Sequence, residues 1–319
     1  MRVSALALAL FLPLPAAAAS HSDDLLREHL WNAVRQLPPS KRPKVGLALS
    51  AGSVRALAHI GVLQVLDDAG FPVDVVAGTS MGAIVGAAYA AGLPSDRLLG
   101  FEKAVAEEGR RLLRKARLFQ LILAESLIPA TSIERIIREQ LGEKRFDQLS
   151  KPFACAAMDI RTGEKIIFRD GPVAPAVRAS ASLPGLFKPL LYRHRYLCDG
   201  GVVDYVPVDL ARLLGAEWVL ASVTENDYTR SAPSNVFNTL SQVIDIRGAL
   251  LAEQQLKDAN FVVNVRFGNV NFMDFDRAEE MVELGAVAAS RDIEAAREGL
   301  ILHSLPQLWR TWTAKEPRK

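Results

Sequence analysis

A serine set between two glycines carries the first hint of chemistry in this chain. In Gly78-Thr79-Ser80-Met81-Gly82 the serine follows an apolar, β-branched run and precedes MGAIVGAAYAAG, a segment of small and apolar residues. A sharp strand-to-helix turn would strain Ser80 and lift its hydroxyl out of the sheet. Gly78 and Gly82 remove the side chains that would collide in such a turn. The positive end of the following helix would face Ser80 and favour a developing anion. The competing reading is an ordinary strand–helix corner whose glycines serve close packing alone. A partner group has to decide.

The usual partner is a histidine, and the chain has five. His21 and His29 precede the core segments, and His194 sits in a polar turn. His59 lies inside an amphipathic helix, where a packed and satisfied imidazole is the expected state. His303 alone follows the order Ser…Asp…His of a triad hydrolase, at an ordinary helix start. Asp199 is the better partner. In YLCDGGVVDYVPV it ends an apolar strand, and Gly200 and Gly201 let the backbone turn tightly behind it. Partial desolvation would raise its basicity enough to take the serine proton directly. Without Ser80, the simpler reading is a turn whose carboxylate bonds nearby amides.

Around these residues the hydrophobic pattern alternates strand and helix. KVGLALS reads as a strand, VRALAHIGVLQVLDDAG as a helix closed by Gly70, VDVVAGTS as a second strand, and the Gly/Ala segment as a second helix. Continuous apolar strands in β-α-β-α order imply a parallel sheet covered on both faces. From about residue 95 to 145 the pattern turns helical and charged. Strands return at PFACAAMDI and KIIFRD, joined by RTGE, and the hairpin LLYRHRYLCDGG follows. The strands EWVLASVT and FVVNVRF flank a helix over 236–258, with two further helices after them.

This gives one α/β domain over 43–300 with a helical insertion at about 95–145. An N-terminal helix and linker precede it (20–42), and a C-terminal helix and tail follow (301–319). The first 19 residues have one basic residue, an apolar centre and an A-x-A ending at Ala17–Ala19. They read as a signal peptide, so export to the periplasm or beyond is expected.

Half of the 319 residues are hydrophobic, enough for a large core, and the net charge of +2 suggests no nucleic-acid partner. Two isolated cysteines, Cys155 and Cys198, make no metal-ligand pattern. Each sits in an apolar run, where a buried free thiol is expected and a single bridge is the alternative.

Several separated segments together resemble the patatin-like phospholipases, in particular the bacterial branch related to the catalytic domain of neuropathy target esterase. They are GLALSAGSVRALAHIGVLQVLDDAGFPVDVVAGTSMGAIVGAAYAAG, VRASASLPGLFKPL, YLCDGGVVDYVPV and NFMDFDRAEEMVELG, in the family's order. The resemblance implies a three-layer α/β/α fold with a central, mostly parallel sheet. It implies a Ser-Asp dyad, with Ser80 as nucleophile and Asp199 as base. The reaction implied is hydrolysis of lipid or phospholipid acyl esters through an acyl-serine, with no metal or organic cofactor.

One segment departs from the family. Its oxyanion loop reads G-G-G-x-R/K-G, whereas the matching residues here are Ala51, Gly52, Ser53, Val54, Arg55 and Ala56. Alanine and serine keep the backbone N–H donors that the tetrahedral intermediate needs. Where the loop demands positive φ, each substitution costs about 1–3 kcal/mol. An active enzyme using the Ala51–Ser53 amides is expected, and a silent lipid-binding or regulatory module is the alternative. Arg55 either orients the loop or meets anionic charge directly, and the plain alternative is a solvated helix-start residue.

For membrane contact, RRLLRKARLFQLILAESLI (110–128) has the composition of an interfacial helix. Its basic and apolar residues run consecutively, without forming opposite faces. That favours a charged face followed by a core or lid helix.

Overall fold

The computed structural model describes residues 16–120, 131–227, 236–268 and 270–315. The apolar centre of the expected export signal and most of the apolar half of the 110–128 stretch lie outside the described residues. The first helix, α1 (Ala16–Gln36), already includes Ala17–Ala19 in its backbone.

The strands are β1 (Val45–Leu49), β2 (Val75–Thr79), β3 (Phe153–Asp159), β4 (Lys165–Phe168), β5 (Leu190–Tyr192), β6 (Arg195–Asp199), β7 (Trp218–Asn226) and β8 (Phe261–Phe267). Among the described residues they form one eight-stranded sheet of order β5-β6-β3-β2-β1-β7-β8, with β4 also paired to β3. The central pairs are parallel: β1 with β2 and β7, β2 with β3, and β7 with β8. Only β4, β5 and β6 bring antiparallel pairs. Every residue of β1 and β2 is buried, which explains their unbroken apolar sequences.

Alternate side chains of those strands enter different cores. Leu47, Leu49 and Val76 join the cluster formed with α2 (Ala58–Asp68), α3 (Met81–Ala90) and α9 (Ala278–Lys315). Ala48, Val75 and Ala77 face the opposite cluster, built on α7 (Val208–Leu213) and on Ala252 of α8 (Val236–Gln255). The result is a three-layer α/β/α arrangement. Over the expected insertion lie α4 (Ser95–Gln120) and α5 (Thr131–Leu141), and α5 packs on α6 (Val173–Ser180).

The boundary expected at 300/301 is not a structural break. In place of two C-terminal helices, α9 runs unbroken over 38 residues through Pro306. Its inward face continues past the expected end, with Leu300, Ile301, Ser304 and Leu308 all buried. Pro306 deprives the Leu302 carbonyl of its helical donor, and Leu302 is exposed, which keeps the cost of that loss low. Here burial of a continuous stripe outweighs the proline.

Candidate active site

Strand β3 brings together two residues 119 positions apart. It pairs with β4 along Cys155–Met158, and that occupies one of its two edges. On the other edge β2 arrives parallel, ending with Thr79 opposite Ala156. Beyond it, β6 arrives antiparallel on the same edge and ends with Asp199 opposite Ala157. The two strands therefore run head to head, and their C-terminal ends meet on adjacent residues of β3. Ser80 Oγ lies 2.5 Å from Asp199 Oδ2, and both residues are buried.

The turn at Ser80 is strained, with φ 57° and ψ −124°, a region that side chains other than glycine rarely occupy. Its N–H donates to Ser180 Oγ at 3.0 Å, which stabilises that conformation from the end of α6. A Cβ on Gly78 would lie 2.3 Å from the Gly82 carbonyl oxygen, and one on Gly82 would lie 2.4 Å from that of Ser50. The glycines thus let α3 seat directly on the ends of β1 and β2. Gly200 is equally confined, because its Cβ would lie 2.2 Å from the Ala156 carbonyl oxygen.

Asp199 accepts a second bond at Oδ1 from the Gly201 N–H, 2.8 Å away. Burial pushes its carboxyl up to about 6. The bonds from Ser80 and Gly201 oppose the rise, and the charge of Asp245 adds to it. A group poised there is ionised at neutral pH and basic enough to draw a hydroxyl proton.

The loop after β1 refines the expectations for Ala51–Arg55. Ala51 is corrected as an oxyanion donor: its N–H already donates to the Tyr205 carbonyl at 2.9 Å. Its side chain instead faces the Asp199-Gly200-Gly201 turn, where a Cβ added at Gly201 would lie 3.0 Å from the Ala51 Cβ. Among the described residues, the Gly52 and Ser53 N–H groups have no hydrogen-bond acceptor.

Both peptide planes that carry these N–H groups are fixed from behind. The Ala51 carbonyl, on the plane of the Gly52 N–H, accepts from Thr224 Oγ1 (2.9 Å) and Ser50 Oγ (2.8 Å). The Gly52 carbonyl, on the plane of the Ser53 N–H, accepts from the Arg55 N–H (3.2 Å) and Arg55 Nε (3.3 Å). A trans peptide points its N–H away from its C=O, so anchoring each carbonyl fixes the direction of each donor.

Strain in this loop is local. Gly52 has φ 151° and Ser53 φ 49°, whereas Ala51 and Ala56 are not at positive φ. Of the non-glycine residues at the family's glycine positions, only Ser53 carries a conformational cost. Arg55 is fully buried, and its Nη2 bonds both oxygens of Asp245 on α8 at 2.7 Å. It orients the loop. The alternative of a solvated residue is excluded, and its charge is already met by Asp245.

The histidine reading holds at His59. Its Nε2 bonds the Ser50 carbonyl (3.0 Å) and its Nδ1 bonds Ser222 Oγ (2.8 Å), and burial pulls its pKa down to about 4. His194 lies in an exposed turn and His303 on an exposed face of α9. Cys155 and Cys198 are free and buried, and burial pushes the Cys198 thiol up to about 12. Among the described residues no cluster of three His, Cys, Asp or Glu could hold a metal ion.

Ser80, Asp199 and Ser53 line one narrow cleft of about 70 Å³. Its walls are mainly apolar and include Ile84, Val105, Ile133, Ile136, Leu186 and Phe275. Glu108 also reaches it and is neutralised by Arg135 at 2.9 Å. Two basic residues of the 110–128 stretch bond within the protein, Arg110 to the Phe275 carbonyl and Arg111 to Glu108.

Sequence reasoning missed Ser180 and Asp245. A serine in the small-residue run VRASAS was the available signal for the first. For Asp245, an acid on a helix of mixed composition, there was none.

Comparison with known proteins completes the picture. A family model described as patatin-like phospholipase matches residues 47–212. An uncharacterized NTE family protein of Mycobacterium tuberculosis (H37Rv) is 34% identical over 200 residues, covering 62% of this chain and 54% of that one. A patatin-like phospholipase domain-containing protein of Caenorhabditis elegans is 36% identical over 180 residues, 56% of this chain and 13% of that one. The chain thus spans about half the length of the mycobacterial relative, and a smaller share of the nematode one. Among solved structures, VipD from Legionella pneumophila aligns with a TM-score of 0.47 at 14% identity, over 82% of this chain and 67% of that one.

Proposed function

This chain belongs to the patatin-like phospholipase family, and from that premise we propose that it is a serine hydrolase of lipid acyl esters working through a Ser80–Asp199 dyad. The observation that carries the reading is the 2.5 Å contact between Ser80 Oγ and Asp199 Oδ2 at the base of an apolar cleft. Asp199 takes the Ser80 proton as Oγ attacks the ester carbonyl. The Gly52 and Ser53 N–H groups receive the negative oxygen of the tetrahedral intermediate. Asp199 returns the proton to the departing alcohol and leaves an acyl-serine. It then deprotonates the water that attacks the acyl-serine and passes that proton to Ser80 Oγ as the fatty acid leaves. The cleft walls receive the acyl chain, which suits phospholipids, lysophospholipids and simpler lipid esters. Export remains part of this proposal, on the composition of the N-terminal segment.

The second reading, a silent lipid-binding module, rests on Ser53 at positive φ. One experiment separates the two. Wild type, Ser80→Ala and Ser53→Gly are treated with a fluorophosphonate and assayed on a lipid panel. The proposal expects labelling and hydrolysis by wild type and Ser53→Gly, and neither by Ser80→Ala. Activity appearing only in Ser53→Gly establishes the silent module.

A further inference from the structure

The head-to-head meeting of β2 and β6 also places the rest of β6 beyond the catalytic end of the sheet. From Asp199 back to Arg195 the strand leads away from Ser80 by about 13 Å at ~3.3 Å per residue, and the β5–β6 turn lies further out. The β3–β4 turn, Ile160–Gly163, projects beside it, with the Ile160 N–H bonded to the Tyr196 carbonyl. Two exposed apolar side chains sit here, Ile160 (48%) and Leu191 (61%).

Charge on these tips has one sign in excess. Arg195 is bonded to Asp159 and Glu164, and Lys165 to Asp204 and Asp209. Arg161, Arg193 and Lys188 are exposed and, among the described residues, have no carboxylate partner. Arg161 lies over the Tyr196 ring at 4.3 Å and Arg193 over that of Tyr192 at 5.2 Å. These contacts support both guanidinium groups while leaving their charge unopposed. The chain between cleft and tip is continuous: Leu183, Leu186 and Phe187 line the cleft, and Lys188 and β5 follow at once.

The turn itself is costly. Arg193 has φ 47° and His194 φ 66°, the two-residue geometry in which Asn-Gly is favoured. An arginine and a histidine occupy the outermost position of the hairpin where cheaper residues fit.

We propose that the β5–β6 tip and the β3–β4 turn form a docking surface for an anionic lipid bilayer, with Ile160 and Leu191 entering the headgroup layer and Arg161, Arg193 and Lys188 meeting lipid phosphates. The surface gives a lipid-ester hydrolase access to bilayer substrate, and in that respect rests on the function proposed above. Its binding is measurable without turnover.

The test uses the full chain carrying Ser80→Ala in vesicle flotation. Vesicles are phosphatidylcholine alone, or phosphatidylcholine with roughly a third phosphatidylglycerol. The expected result is binding to the anionic vesicles only, weakened by salt, and reduced by about tenfold or more in Arg161→Glu/Arg193→Glu. The double variant Arg193→Asn/His194→Gly should melt at higher temperature than its parent and still bind several-fold more weakly, which separates docking from folding. In the Ser80 background both double variants should hydrolyse a water-soluble short-chain ester at the parent rate.

Equal binding to both vesicle types, or unchanged binding by both double variants, overturns the proposal. So does self-association of two copies through the β5 edge in place of vesicle binding. Absent hydrolysis of the soluble ester with vesicle binding as expected would remove the hydrolase reading and leave the docking surface standing.

Discussion

Asp199 holds its negative charge at neutral pH against the cost of burial, and that cost raises its basicity. Its pKa rises from the ordinary 3.8 to about 6, so hydrolysis by wild type should increase with pH through about 6 and level off above it. The same shift bears on stability. The folded state binds the proton more tightly than the unfolded chain, so the favourable contribution is complete below about 3.8 and lost as pH rises through about 6. At pH 7 the penalty is of order 3 kcal/mol. Asp199→Asn should therefore abolish turnover while raising the unfolding free energy at pH 7, and the gain should shrink toward pH 4. Urea unfolding of both proteins across that range checks the prediction. A variant less stable than wild type at pH 7 would show that the carboxylate's two hydrogen bonds outweigh its burial.

At the scale of elements, the strands and helices around Ser80 were legible because their patterns are local. Buried parallel strands read as unbroken apolar runs, and the Gly/Ala composition of α3 foretold close seating on β1 and β2. Gly82→Ala tests that seating: the added methyl meets the Ser50 and Leu49 carbonyl oxygens at 2.4 and 2.5 Å. It should destabilise the protein by about 1–3 kcal/mol and suppress fluorophosphonate labelling by displacing the turn. Thermal melting and labelling of the same sample measure both. The single α9 was not legible, since no local pattern shows that one buried inward face continues past residue 300 and through Pro306.

At the scale of the whole molecule, the Arg55–Asp245 pair ties the loop after β1 to α8, 190 positions away. Both side chains are buried, so removing one partner leaves an uncompensated charge and costs about 3–5 kcal/mol. Asp245→Ala should show that loss in chemical denaturation. Arg55→Met with Asp245→Leu should recover most of the stability but leave kcat lowered, because the Gly52 carbonyl keeps only the bond from the backbone N–H of residue 55 and the Ser53 N–H is held less firmly. Recovery of both would reduce the pair to packing.

The sequence by itself singled out Ser80 as a candidate nucleophile, preferred Asp199 over any histidine as its partner, and carried the alternation that makes a covered parallel sheet. Those features depend on residue type and short spacing, which local sterics and hydrophobic periodicity translate directly into structure. Only the tertiary structure decided that β2 and β6 share one edge of β3, that the Ala51 N–H is occupied by Tyr205, and that Asp245 neutralises Arg55. Each of these is a pairing between distant segments, fixed by which strand edge or buried charge remains available once the layers have packed, and no local pattern encodes that availability.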